Sequence, residues 1–153
     1  WSSDVCSSDL AMKKLIVLCC TLFTIYANGD FINKSKSIIQ DNKRNFLWQD
    51  TKEVKTIKRD FTEAVSYCKD LELDGIKGWE LPNLKQLFTI VNTKKYNPAI
   101  YEEFKNINPD TYWTSKLFSR GASNDAYTIT FKTGSLYRRN MNDKFFVRCI
   151  KTK

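Results

Sequence analysis

Asp60-Phe61-Thr62-Glu63-Ala64-Val65-Ser66-Tyr67-Cys68 is the stretch whose reading decides the fold of this chain. Asp60 is a strong helix N-cap, and Glu63 three residues on completes a capping box. Phe61, Ala64, Val65, Cys68 and Leu71 recur at helical spacing, so a helix is expected to carry Cys68 on its apolar, inward face. Asp74-Gly75 and Lys77-Gly78 mark its exit.

Cys68 then leads to the cysteine count. The chain has five cysteines. Cys6 lies within residues 1–11, whose Trp1–Leu10 portion reads as the translation of a sequencing adapter. Cys19 and Cys20 lie within residues 12–27, where Met12-Lys13-Lys14 and the apolar run Leu15–Tyr26 have the layout of a secretory signal. A run of twelve residues falls short of the roughly 20 that a membrane-spanning helix needs. Cys68 and Cys149 remain. In an exported chain a disulfide between them is expected; the alternative is two buried thiols packing as small hydrophobes. The expected location is periplasm, secretion or cell surface, with no transmembrane span after signal cleavage.

Residues 28–37 read as a short N-terminal segment and residues 38–153 as one domain, a length that suits a single core. Ser37–Gln40 and Asn45–Gln49 read as strands joined by the turn Asp41–Arg44. Thr51–Arg59 reads as a basic, polar connection. Pro82 forces extension on Leu81, and Asn83 with Gln86 caps a second helix whose apolar stripe is Leu84, Leu87, Phe88 and Val91. Asn97-Pro98 is expected to open a further helical turn that turns Ile100 and Phe104 inward. The remainder reads as sheet: Thr111–Ser115, then Tyr127, Ile129 and Phe131 alternating with Thr128, Thr130 and Lys132, then a turn at Thr133-Gly134-Ser135 and a last strand over Phe145–Ile150. The expected class is α+β, two helices packed on a small twisted antiparallel sheet with one disulfide.

Five motifs in order carry a family resemblance: Phe46-Leu47-Trp48-Gln49-Asp50; Ala64-x-x-Tyr67-Cys68; Gly78-Trp79-x-Leu81-Pro82-Asn83-x-x-x-Leu87; Tyr112-Trp113-Thr114-Ser115; and Val147-Arg148-Cys149-Ile150. Together they resemble the Lcl C-terminal domain family over about Ile38 to Lys151. The resemblance implies a fold similar to C-type lectins and formylglycine-generating enzymes, with a helix cysteine bonded to the last strand. It also implies exported bacterial proteins, some of them adhesin modules. Trp48, Trp79, Leu81, Pro82, Tyr112 and Trp113 fall on its motif positions, where packing is the expected role. Glu80 and Gln86 depart from the family pattern, which usually has Arg and Glu there; Lys85 is an alternative partner for them.

The chemistry starts from an absence in the sequence. There is no histidine, which removes the usual general base, the commonest metal ligand and the Ser-His and Cys-His nucleophile pairs. Glu102-Glu103 and Asp70 could serve acid–base work but read as solvated surface. Asn108-Pro109-Asp110 superficially resembles a calcium triplet of C-type lectins, yet it precedes Tyr112-Trp113 where a lectin long loop would follow. No catalytic residue, metal site or cofactor is therefore expected. Charge is the remaining signal. The net charge is +8, and residues 111–153 concentrate it in Lys116, Arg120, Lys132, Arg138, Arg139, Lys144, Arg148, Lys151 and Lys153 against Asp125 and Asp143. For an exported chain an anionic polysaccharide or envelope component is the expected partner, and nucleic acid is not. The first seven of those residues are the candidate anion-binding set. Arg138 and Arg139, adjacent in a strand, must point to opposite faces. The expected function is a non-catalytic binding or adhesin-like module; the alternatives are a structural subunit of an envelope complex and a carboxylate-based glycan hydrolase.

Overall fold

A computed structural model describes residues 29–119 and 123–153. The leader, Cys6, Cys19, Cys20 and Arg120 lie outside the described residues. The protein is α+β with two sheets rather than one. The first sheet holds β1 (Phe31–Asn33), β2 (Ile38–Asp41), β3 (Phe46–Gln49) and β9 (Ile150–Thr152), in the order β1-β2-β3-β9. The second holds β4 (Lys58–Arg59), β5 (Thr111–Phe118), β6 (Asp125–Thr130), β7 (Ser135–Asn140) and β8 (Phe145–Phe146), in the order β4-β8-β5-β6-β7. All pairings are antiparallel except β5 with β8, which run parallel where Tyr112 meets Phe146.

The residues before Ile38 are not an appendage, because β1 pairs with β2 from Phe31↔Asp41 to Asn33↔Ile39. The polar connection Thr51–Arg59 contains a short helix, α1 (Glu53–Thr56), which buries Val54, and then β4. The last strand expected over Phe145–Ile150 is split in two. β8 joins the second sheet and β9 the first, with Val147, Arg148 and Cys149 buried between them.

The α2 helix (Phe61–Asp70) forms as its capping box directs. Glu63 N–H donates to Asp60 Oδ1 at 2.9 Å, and Asp60 N–H donates to Glu63 Oε2 at 3.1 Å. Phe61, Ala64 and Cys68 are buried, but Val65 is 40 % exposed. The buried stripe is centred between Ala64 and Cys68 and extends toward Tyr67, which leaves Val65 about 90° away at a helical repeat of 3.6 residues. Tyr67 is held on the inward side by Gln49 Nε2, which donates to its hydroxyl at 2.6 Å, and by the Arg59 guanidinium 3.6 Å from its ring centroid.

The α3 helix (Leu84–Phe88) has the same kind of start, with Gln86 N–H donating to Asn83 Oδ1 at 2.9 Å and Asn83 N–H to Gln86 Oε1 at 2.7 Å. It stops after five residues. Leu87, Ile90 and Val91 sink into the core, while Phe88 is left exposed. Asn97-Pro98 opens no helix: the peptide bond is cis and Asn97 has φ of +48°. The segment packs against the end of β6 instead, with Asn97 N–H on the Lys132 carbonyl (2.9 Å) and Ala99 N–H on that of Phe131 (2.6 Å). Ile100 and Phe104 are nevertheless buried, Ile100 through a bridge to Val91.

β6 is covered on both faces rather than half-buried. Ile129 and Phe131 join Tyr112, Leu87 and Trp48 in one cluster, while Ala126 joins Trp113, Trp79 and the cysteines in the other. Thr128 and Thr130 are buried too; the Thr128 hydroxyl donates to the Tyr137 carbonyl at 3.3 Å. Gly134, with φ of +78°, ends the β6–β7 hairpin against Val91, where a Cβ would stand only 2.6 Å from Val91 Cγ1. A side chain there would be both strained and overpacked.

Cys68 and Cys149 are joined in a disulfide with a sequence separation of 81 residues, tying α2 to the segment that leads into β9. The loop-entropy model assigns such a closure about 4 kcal/mol.

Candidate functional site

The family-motif residues fold into the interior. Trp48, Tyr112 and Trp113 are fully buried, and Trp79, Leu81 and Pro82 nearly so. Two tryptophans satisfy their indole N–H on backbone carbonyls, Trp79 on Ile76 and Trp113 on Arg59, both at 2.8 Å. Tyr112 donates its hydroxyl to the Val54 carbonyl at 3.1 Å and accepts from Asn108 N–H at 2.9 Å. Burial pushes its pKa up to about 12, against a partial offset from the Arg148 charge. None of these rings is open to a ligand.

Arg148 is the main correction to the sequence reading. It was expected on a basic surface and is instead fully buried. Its Nη1 donates to the Gln49 carbonyl at 2.6 Å and to Asp50 Oδ1 at 2.8 Å, and its Nη2 donates to the Asn106 carbonyl at 2.6 Å. Asp50 Oδ2 accepts from Lys105 N–H at 3.0 Å, and Asn106 Nδ2 donates back to the Asp50 carbonyl at 2.6 Å. The Phe104 ring stacks 4.9 Å from the guanidinium carbon. A guanidinium leaves water only where a carboxylate and further acceptors replace its hydration. Here Asp50 and two carbonyls do so for the two terminal nitrogens, while the buried Nε has no hydrogen-bond partner. Beside this pair Gln49 clamps Cys149: its N–H donates to the Cys149 carbonyl at 3.0 Å, and Cys149 N–H donates to its Oε1 at 3.1 Å.

Lys116, Lys132, Arg138, Arg139 and Lys144 are exposed. They do not form one cluster. Arg138 pairs with Tyr127 across the β6–β7 ladder, and Phe118 pairs with Asp125 across β5–β6. By strand alternation Phe118, Tyr127 and Arg138 therefore share one face, while Lys116 lies in the irregular stretch of β5 between Trp113 and Leu117, where the register with β6 shifts. The Arg138 guanidinium lies 4.3 Å from the Phe118 centroid, Phe118 meets Tyr127 edge-on at 6.0 Å, and Arg138 Nε reaches Asp125 at 3.2 Å. Arg139 points to the opposite face, beside Tyr137 at 5.1 Å. Lys144 pairs with Glu63 of α2 at 3.6 Å. Lys132 stands past the far end of β6, beside Asn97.

Lys116 stands beside α3. Asn83, Leu84, Lys85 and Lys116 line a cavity of about 250 Å³, held by the hydrogen bond from Ser115 N–H to the Pro82 carbonyl at 2.8 Å. Lys85 adds a charge that sequence reasoning had considered only as a partner for Glu80 or Gln86. The alternation Asp125-x-Tyr127 in β6 was a usable signal for the aromatic beside Arg138. The arrangement can hold an extended anion against cationic side chains while aromatic rings contact its apolar parts.

The acidic candidates are dispersed. Asp110 accepts from Lys58 Nζ and from Thr111 N–H, both at 2.7 Å. Partial burial raises its pKa, but those bonds outweigh it and hold the carboxyl below its ordinary value. Glu102 pairs with Lys95 at 3.3 Å, and Asp70 is exposed. Among the described residues, no group of three or more His, Cys, Asp or Glu side chains could hold a metal ion.

The five short motifs meet in one interior, and a comparison of the sequence with family models identifies them as one domain. The model described as Lcl C-terminal domain matches residues 37–151. The chain belongs to the Lcl C-terminal domain family. Within this Lcl domain the motif Gln49-Asp50 and the motif Arg148-Cys149 form one hydrogen-bonded unit, which the disulfide ties to Cys68 of α2. No curated protein matches the chain. Among the described residues, no helix is long and apolar enough to cross a membrane.

Proposed function

We propose that this Lcl domain is an exported, non-catalytic binding module on a C-type-lectin-like scaffold, and that it takes an anionic polysaccharide on the Lys85–Lys116–Arg138 face. The observation that carries the reading is the meeting of Lys85 and Lys116 at an open cavity, with Phe118 two residues on from Lys116 and its ring against Arg138 and Tyr127. Acidic sugars present charges at intervals along an otherwise amphipathic chain, which suits cations spaced around aromatic rings. The bond from a helix cysteine to the segment before the last strand supports the lectin-like scaffold. A sequence without histidine, in which Glu102 and Asp110 are each paired with lysine, favours binding over hydrolysis.

The test is retention of residues 28–153 on a sulfated-glycan column over a salt gradient, since exposed charge contacts weaken as salt screens them. Simultaneous Lys85→Glu, Lys116→Glu and Arg138→Glu should elute at clearly lower salt than wild type. Simultaneous Lys36→Glu, Lys43→Glu and Lys69→Glu, the same charge change elsewhere, should elute later than that variant. Equal elution of the two triple variants would reduce the face to an ordinary solvated surface.

A further inference from the structure

A second cavity, of about 340 Å³, lies in the segment that packs against the end of β6 and is lined by Lys95, Tyr96, Pro98, Tyr101, Glu102 and Phe104 among others. Its volume is at the lower end of small-molecule sites, which run from about 300 to 1,000 Å³. We propose that this cavity binds a single neutral pyranose unit without a metal ion, with the sugar's apolar face on Tyr96 and its hydroxyls on Lys95 and Glu102.

Tyr96 forms the outer wall of the cavity. It is 67 % exposed, more than any other large hydrophobic side chain among the described residues. An exposed aromatic on a loose loop would carry little meaning, but the backbone here is pinned on both sides. Lys95 N–H donates to the Asn92 carbonyl at 3.0 Å, and Asn97 N–H donates to the Lys132 carbonyl at 2.9 Å. Lys94 N–H is held by Asn92 Oδ1 at 3.0 Å. A ring presented from fixed backbone loses little freedom when it is covered, so contact made there is retained as affinity.

The floor is equally fixed. Phe104 is buried and stacks on Arg148, whose hydrogen bonds hold it to Asp50 and Asn106. Phe31 backs both floor rings, 5.0 Å from Tyr101 and 5.3 Å from Phe104. Tyr101 contributes a half-buried ring with a phenolic hydroxyl, which is both donor and acceptor.

The polar rim decides the ligand class. Lys95 Nζ and Glu102 Oε2 lie 3.3 Å apart, so the rim offers an ammonium donor and a carboxylate acceptor whose charges cancel. A free anion or cation gains nothing there that the pair does not already supply. Vicinal hydroxyls, each a donor and an acceptor, can bond to both groups at once. A pyranose combines such hydroxyls with an apolar C–H face, which an aromatic ring can cover. The cavity is separate from the Lys85–Lys116–Arg138 face, so this proposal stands whether or not that face takes an anion.

Saturation-transfer NMR on residues 28–153 tests it, with methyl glycosides of glucose, galactose, mannose and N-acetylglucosamine as probes and a chelator present. At least one glycoside should receive saturation on its ring protons. Tyr96→Ala, at an exposed site whose loss leaves the fold intact, should weaken that glycoside about tenfold, the change that about 1.4 kcal/mol sets. Glu102→Gln should weaken it as well, while Lys116→Glu should leave it unchanged. Saturation of none of the four glycosides by the wild-type protein would overturn the proposal. So would a signal that Tyr96→Ala leaves intact, or one that Lys116→Glu abolishes.

Discussion

Two arginines ten residues apart, Arg138 and Arg148, show how one residue type serves opposite ends of this molecule. Arg138 lies on a strand face, half exposed, over an aromatic ring and beside a partly screened carboxylate. Arg148 is wholly out of water, with three hydrogen bonds to a carboxylate and two carbonyls. The first is replaceable for stability and is where a ligand can act. The second joins three segments distant in sequence and is unavailable to any ligand. The difference is set by what surrounds each residue: Arg148 sits in the apolar run Phe145–Ile150, Arg138 in a strand whose neighbours are all exposed.

Removing the covalent part of the framework tests that contrast most severely. Cys68→Ala with Cys149→Ala should lower the unfolding free energy by about 4 kcal/mol, read from urea titration under oxidising conditions. A midpoint unchanged from wild type would mean that the bridge constrains neither state. Arg148→Met comes next. Leaving Asp50 buried without its guanidinium should lower stability by about 3 kcal/mol. Arg138→Met, measured alongside, should stay within about 0.5 kcal/mol of wild type. Equal losses at the two positions would erase the distinction between them.

Tyr112 sharpens the same comparison through pH. Its folded pKa, about 12, lies above the ordinary value of 10.0 because burial disfavours the phenolate. A group with a raised folded pKa contributes stability that is fully present below pH 10.0 and lost as pH climbs toward 12. That contribution is about 2–3 kcal/mol from the size of the shift. Urea midpoints of wild type should therefore fall over this alkaline range more steeply than those of Tyr112→Phe. Parallel curves would show that Tyr112 is not the buried alkaline trigger. On the acid side Asp110 should contribute a weaker effect of opposite sign. Its depressed pKa supplies stability above the ordinary value of 3.8, lost as pH falls further, and solvent at the partly exposed Lys58 pair screens it. Lys58→Met should flatten that acid limb, and an acid limb identical to wild type would remove Asp110 as its cause.

Local signals in the sequence were readable because their physics is local. Both capping boxes, at Asp60–Glu63 and Asn83–Gln86, follow from four consecutive residues and are present. The cysteine pair followed from counting, and the hairpin at Gly134 from its turn residues. What was hidden depends on partners far along the chain. Asp50 and Arg148 are 98 positions apart, so nothing near Arg148 announces its carboxylate. A hint was present all the same: a lone arginine within Phe145-Phe146-Val147-Arg148-Cys149-Ile150 needs a buried acid, and Asp50 ends a similar apolar run. The exposure of Val65 and Phe88 was hidden for another reason, since periodicity marks an apolar sector but packing chooses its centre. Strand alternation already set Arg138 and Arg139 on opposite faces; the pairing of Lys144 with Glu63 and the place of Lys132 beside Asn97 depend on distant partners and were not readable.

The division of the C-terminal run between β8 and β9 also bears on when the protein can fold. Each sheet takes a strand from within Phe145–Thr152, and β3 has no β9 neighbour until the ribosome has delivered that stretch. Early segments such as β2–β3 can meet as a hairpin, yet they wait for a partner about a hundred residues downstream, a separation that slows the search for native contacts. Neither sheet is complete until residues 145–152 have reached it, so the two sheets are coupled through one short stretch of chain.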